Sequence, residues 1–269
     1  MSHPSFVDVH CGFGRTVTAP DWGTSESVRE FLTLRGIGKA FLYSSAAREY
    51  DPVEGNDLLA DKAVGFVSPD GSGLDLRGWL VAHPARPEDA QRQMKQYLLS
   101  DRFVGMALYP DPLTGIPVTA RGAAEVVTSF RRYSKVLLVH TPSAEAMREV
   151  VQLARDYNGV RIIASGMGGM EWREAIEMAA KPLNLFLDIS GTLEPGKIDY
   201  AVSETGGVRK LLFASGAPET DPAAVLAMLF EADLTEDDRA KVLYANAGRI
   251  FGFAVTDEEE VADLAPMGG

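Results

Sequence analysis

Eight short apolar runs recur along the chain, with longer, mostly amphipathic stretches between them. The runs are FVDVHCG (6–12), KAFLYSS (39–45), LRGWLVAHP (76–84), FVGMALYP (103–110), KVLLVHT (135–141), VRIIASG (160–166), NLFLDISG (184–191) and KLLFASG (210–216). Short, nearly continuous apolar runs read as strands buried on both faces. Several stretches between them carry helix punctuation. In SVREFLTLRG (27–36), Val28, Phe31, Leu32 and Arg35 fall at helical spacing and Gly36 closes the run. Asn56 is placed to cap a helix over 56–64, Pro87 opens one over 87–100, and Ser143 opens one over 143–159. Helices are also predicted over 119–134, 169–181, 197–205, 221–232 and 235–252. Eight strand–helix units predict an α/β protein built as a (β/α)8 TIM barrel in one domain, residues 1–253. A doubly wound open sheet alternates in the same way, but eight units in a chain of this length favour the barrel. GIGKAF (36–41) follows a helix and precedes a strand, the wrong order for a dinucleotide loop.

Charge and cysteine usage narrow the functional classes. The chain has 38 acids and 26 bases, a formal net charge of −12. Five of the acids (Asp257, Glu258, Glu259, Glu260 and Asp263) lie in the last 14 residues, which hold no base. Residues 254–269 are therefore expected to form an acidic, flexible tail. An acidic body argues against nucleic acid and anionic membrane as partners. No apolar run approaches the length of a membrane span, and the start has neither a basic nor an apolar signal region. The expected compartment is the cytoplasm. Cys11 is the single cysteine, so an intramolecular disulfide is excluded.

Barrel chemistry sits at the C-terminal ends of the strands. Strict alternation along the first strand places Asp8, His10 and Gly12 on one face and Cys11 on the other, which makes Cys11 a packing residue. The fifth strand ends on His140, the sixth on Gly166 and the eighth on Gly216. Asp188 lies in the seventh strand, Glu219 follows the eighth, and Tyr109, Thr141, Ser165, Ser190 and Ser215 decorate the rim. Gly166-Met167-Gly168-Gly169 offers amides for an anion nest, although a plain strand-to-helix turn explains the same residues.

VDVHCGFG, GMALYPD, LLVHTPS, IIASGMGG, NLFLDISG, KLLFASGAPETDP and LTEDDRAKVLYANAGRIFGF together resemble the amidohydrolase-related family, metal-dependent hydrolases and decarboxylases on a distorted TIM barrel. The resemblance runs over most of the chain. In that family the first strand usually carries His-x-His, the fifth a His, the sixth a His before Met-Gly-Gly, and the eighth an Asp. His10 and His140 match two of these groups. Gly12, Gly166 and Gly216 stand at the other three.

The resemblance thus implies the family's fold with a depleted ligand set. A catalytic zinc usually takes three protein ligands and water, and His10 and His140 supply two. No cofactor is expected; a zinc site on His10 and His140 is the alternative. Asp8, His10, Tyr109, His140, Asp188 and Ser215 are the candidate pocket residues. Three readings of function follow. The first is a protein without metal-dependent hydrolysis that binds a small organic molecule at the barrel mouth. The second is a hydrolase or decarboxylase, breaking a C–N or C–C bond at an atypical metal site. The third is a non-catalytic subunit, which would pair with an intact paralogue; a homodimer is equally compatible with the sequence.

Overall fold

The computed structural model describes residues 6–16, 19, 22–65 and 73–254. The acidic stretch 255–269 lies outside the described residues. Eight parallel strands pair in chain order. They are β1 (Phe6–Phe13), β2 (Ile37–Ser44), β3 (Asp75–Ala82), β4 (Phe103–Leu108), β5 (Val136–His140), β6 (Ile162–Ser165), β7 (Leu185–Asp188) and β8 (Leu211–Leu212). Main-chain hydrogen bonds bring the ring back to its start: Val9 N to Phe213 O (3.1 Å), Gly216 N to His10 O (3.0 Å) and Gly12 N to Ala217 O (2.6 Å). The protein is a nearly closed (β/α)8 barrel, as the eight apolar runs predict. β8 is shorter than its run. Phe213 N donates to Val242 O (2.9 Å) instead of continuing a strand ladder.

The helices are α1 (Ser25–Thr33), α2 (Ser45–Glu49), α3 (Pro52–Lys62), α4 (Pro87–Tyr97), α5 (Ala120–Phe130), α6 (Ala144–Asp156), α7 (Trp172–Ala179), α8 (Pro195–Thr205), α9 (Pro222–Glu231), α10 (Glu236–Ala240) and α11 (Asn246–Phe251), with a π-helical turn at Lys241–Ala245. Caps fix many of their starts. Ser143 Oγ accepts the Ala146 amide, and Thr24, Thr119 and Thr235 act alike. Among the described residues no helix is long and apolar enough to cross a membrane.

Two apolar layers result. Alternate side chains of the strands fill the bore, among them Val9, Phe41, Trp79, Leu138, Ile163 and Leu212. The opposite set, including Leu42, Leu80, Met106, Leu137 and Leu187, packs under the helices with Val28, Leu59, Val127 and Ile176. Phe251 closes the lower end of the bore, edge-on to Phe41 with ring centroids 4.6 Å apart. The upper end stays open.

Asn56 departs from its expected role as a helix cap. The helix starts earlier, at Pro52, where Asp51 accepts the Val53 and Glu54 amides at 2.9 and 3.0 Å. Asn56 is buried on the inner side of α3 and clasps β3: its Nδ2 donates to Val81 O (2.8 Å) and its Oδ1 accepts from Val81 N (3.0 Å). Replacing Asn56 by alanine strands both Val81 groups away from water. Each costs about 1–3 kcal/mol when left unpaired, so Asn56→Ala is expected to lower unfolding free energy by roughly 2–6 kcal/mol in urea denaturation. A loss under about 0.5 kcal/mol, the range of neutral surface changes, would contradict the clasp.

Candidate functional site

β1 does not alternate as its sequence suggests. Asp8 pairs with Ala40 and Cys11 with Leu42, so Val9 and His10 together face the single residue Phe41. This β-bulge shifts the side-chain phase by one residue. Asp8 therefore stands in register with the helix-facing Ala40, while Gly12 pairs with the inward Tyr43. The expectation that Asp8 shares the face of His10 is corrected on this account. Asp8 and Ser215 do not line the cavity. They bind each other, with Ser215 N and Oγ donating to Asp8 at 3.0 and 2.5 Å. Asp8 also accepts the His10 amide at 3.2 Å. Burial raises the Asp8 carboxyl to about 6, against the pull of those donors. Cys11 is fully buried in the outer layer, and burial pushes its thiol well up.

Turned inward by the bulge, His10 is held at both ring nitrogens. Nε2 lies 2.7 Å from Tyr109 Oη. Nδ1 lies 2.9 Å from Ser165 Oγ and 3.3 Å from Asp188 Oδ2. The second contact is a close approach off the hydrogen-bond direction, for Oδ2 accepts no hydrogen bond. Asp188 Oδ1 accepts from Gly166 N (3.1 Å), Ser190 N (3.1 Å) and Ser190 Oγ (2.5 Å). Burial alone would raise the Asp188 carboxyl; His10, Ser190 and the Gly166 amide outweigh it and hold the group below its ordinary value. β1, β4, β6 and β7 thus converge on one imidazole.

Above this network opens a cavity of about 910 Å³. His10, Tyr109 and His140 line it, and Asp188 is buried beneath. Several lining groups carry no signal in a strand-end reading. Arg48, from α2, donates to Tyr43 Oη (2.7 Å), Glu49 (2.6 Å) and Glu219 (2.6 Å) and forms one wall. Lys197 enters from α8 and Trp172 from α7. Burial pushes the phenols of Tyr43 and Tyr109 well up, so both keep their protons. The glycine-rich segment after β6 is a plain turn: Gly166 N goes to Asp188, Gly168 N to Thr141 O (2.9 Å) and Gly169 N to Gly166 O (3.1 Å), which leaves these amides no anion to bind.

A family model described as amidohydrolase matches residues 73–253, about two thirds of the chain. The chain belongs to the amidohydrolase family. No curated protein sequence matches it. Solved structures share its fold over nearly the whole chain. One is 5-carboxyvanillate decarboxylase from Sphingomonas paucimobilis, at 13% identity and TM-score 0.67, covering 94% of this chain and 100% of the other. Another is 2,6-dihydroxybenzoate decarboxylase from Rhizobium, at 14% identity and TM-score 0.68, covering 93% and 99%. A third is a dihydroxybenzoic acid decarboxylase from Polaromonas sp. JS666 with bound manganese and 2-nitroresorcinol, at 16% identity and TM-score 0.66, covering 93% and 97%.

The residues of this chain do not fit the family's metal. Among the described residues no group of three or more His, Cys, Asp or Glu is arranged to hold an ion. His10 is engaged at both nitrogens, and Gly12, Gly166 and Gly216 bring no donor side chain. Two of these glycines are also shaped as glycines. Gly166 (φ +83°) and Gly216 (φ +72°) adopt left-handed backbone, which a histidine or aspartate adopts only with strain.

His140 shows how dry the mouth is. Its Nδ1 is buried without a hydrogen-bond partner. Burial, then His10 and Arg48, lower its pKa from 6.5 to about 4. A base depressed in the folded state stabilises fully above its unfolded pKa and loses that contribution as pH falls through the folded one. The His140 contribution is therefore complete above pH 6.5 and lost toward pH 4. Asp8 works in the opposite sense, stabilising below 3.8 and losing this as pH rises through about 6. An NMR titration of ring signals assigned with His140→Gln should find His140 neutral at about pH 5.5, and the variant should lose less stability than the parent between pH 6.5 and 4. Titration of His140 near pH 6.5 would contradict the dry environment.

Proposed function

We propose that this protein is a member of the amidohydrolase family that has given up metal-dependent hydrolysis and uses its barrel mouth to bind a small organic molecule. The observation that carries the reading is the state of His10. In a metal site an imidazole turns one nitrogen to the ion. Here Tyr109 and Ser165 occupy both, and the remaining matched ligand, His140, has no partner at Nδ1. A strand-end network of protein hydrogen bonds stands where an ion would otherwise be needed.

The cavity supports the binding half of the reading. Pockets of this size suit drug-sized ligands, and few polar groups among apolar walls set orientation. Tyr43, Tyr109, Pro142 and Trp172 supply flat or apolar surface. Buried polar atoms normally have partners. His140 Nδ1 and Thr192 Oγ1, both on cavity-lining residues, have none. The decarboxylases that share this fold are named for hydroxylated benzoic acids, which supports a compact, ring-sized ligand for this cavity.

Purified protein, after mild chelation and dialysis, is expected to retain well under one equivalent of divalent metal by elemental analysis. Added zinc or manganese should leave its thermal midpoint unchanged, whereas members of a panel of small cyclic organic compounds should raise it. One tightly held equivalent of metal would overturn the reading in favour of an atypical metal site. Silence toward every compound, with stabilisation only by a paralogous chain, would overturn it in favour of a non-catalytic subunit.

A further inference from the structure

Lys197 is the unusual cation of this barrel. It is only 7% exposed, yet it lines the cavity. Its single hydrogen bond is a long one, Nζ to Gly166 O at 3.4 Å, and among the described residues no carboxylate lies within ion-pair distance of it. The other half-buried lysines are spent on structure. Lys135 donates to Ser100 O and Phe103 O at 3.1 and 2.5 Å, and Lys210 to three carbonyls at 2.6–3.3 Å. Lys39, Lys62 and Lys241 are paired with aspartates.

Two independent features disfavour a charge on this amine. The first is desolvation, which lowers its pKa from 10.5 even though Asp188 and Glu194 pull the other way. The second is its place in α8. Pro195 starts the helix, so Lys197 sits in the first turn. That end of the helix carries partial positive charge, where a cation is unfavourable. Arg48, the other cation of the mouth, is already neutralised by Glu49 and Glu219. A free anion would meet Asp188, Glu194 and Glu219 around the cavity. The arrangement suits a neutral amine better than an anion clamp, and a desolvated lysine amine is a nucleophile toward carbonyl carbon.

Resting on the small-molecule reading of the site, we infer that Lys197 is a nucleophile that binds a ligand aldehyde or ketone covalently as an imine. The Nζ lone pair attacks the carbonyl carbon, and the C=O π pair moves to oxygen. Proton transfer from nitrogen to that oxygen gives the carbinolamine. Loss of water then forms the C=N bond, and hydration reverses each step. No oxidant or reductant enters. Tyr109, protonated and hydrogen-bonded to His10, and Ser190, bound to Asp188, are among the hydroxyls of the mouth wired to titratable groups.

The test is reductive trapping on the full chain. Benzaldehyde and sodium cyanoborohydride are added at about pH 7.5, and adducts are located by peptide mass spectrometry. Each unit of lowered pKa raises the neutral-amine fraction about tenfold. Lys197 is therefore expected to be labelled severalfold faster than the exposed Lys95 and Lys181, with one benzyl group dominating. Lys197→Met and Lys197→Arg should both abolish the fast adduct while remaining folded by circular dichroism; the arginine variant keeps the charge and cannot form the imine. Labelling confined to exposed lysines would overturn the proposal. If the parent is still stabilised by cyclic compounds in that case, the pocket reading stands and the imine alone falls. If stabilisation is also absent, both fall.

Discussion

His10 is the joint on which the mouth of this barrel turns. Four strands send a group to it, and each group has its own reason to be there. The β1 bulge rotates the imidazole inward, and Asp8 catches the amide of the bulged residue from behind. Against the effect of burial, Asp188 is held below its ordinary pKa under the ring by His10, Ser190 and the Gly166 amide, and three donors meet its Oδ1. Tyr109 and Ser165 take the two nitrogens. Buried polar networks are costly when half satisfied and rigid when complete. This one is nearly complete, which fixes a single geometry for the floor of the cavity.

That floor also explains the glycines. Gly166 gives its amide to Asp188, and Gly216 gives its amide to His10 O, so both are part of the scaffold that holds the joint. Their left-handed backbone allows the chain to turn sharply out of β6 and β8 at the rim. Gly166 and Gly216 thus serve backbone geometry at the strand ends.

Much of the architecture is legible in the sequence. Apolar runs of strand length are a strong signal, and all eight become strands. The misreadings have local physical causes. Asn56 resembles a cap because caps and clasps use the same amide; only the packing of α3 on β3 tells which carbonyl it meets. Asp8 and His10 read as partners on one face because alternation assumes an unbroken pleat, and a bulge leaves no period in the sequence. β8 reads long because its apolar residues are buried, but Phe213 finds its acceptor in the π-helical turn rather than in a strand. Of the cavity, His10, Tyr109 and His140 are visible at strand ends. Arg48 and Lys197 are not, for a charged residue on a helix reads as solvated surface until the fold shows it turned inward.

Ring-nitrogen NMR of His10 tests the central claim most directly. In long-range 15N–1H spectra at about pH 7, both His10 nitrogens are predicted to keep their shifts when zinc is added in excess, because Tyr109 and Ser165 already hold them. A stoichiometric zinc-induced shift of either nitrogen, reversed by chelation, would contradict this and return the mouth of the barrel to metal chemistry.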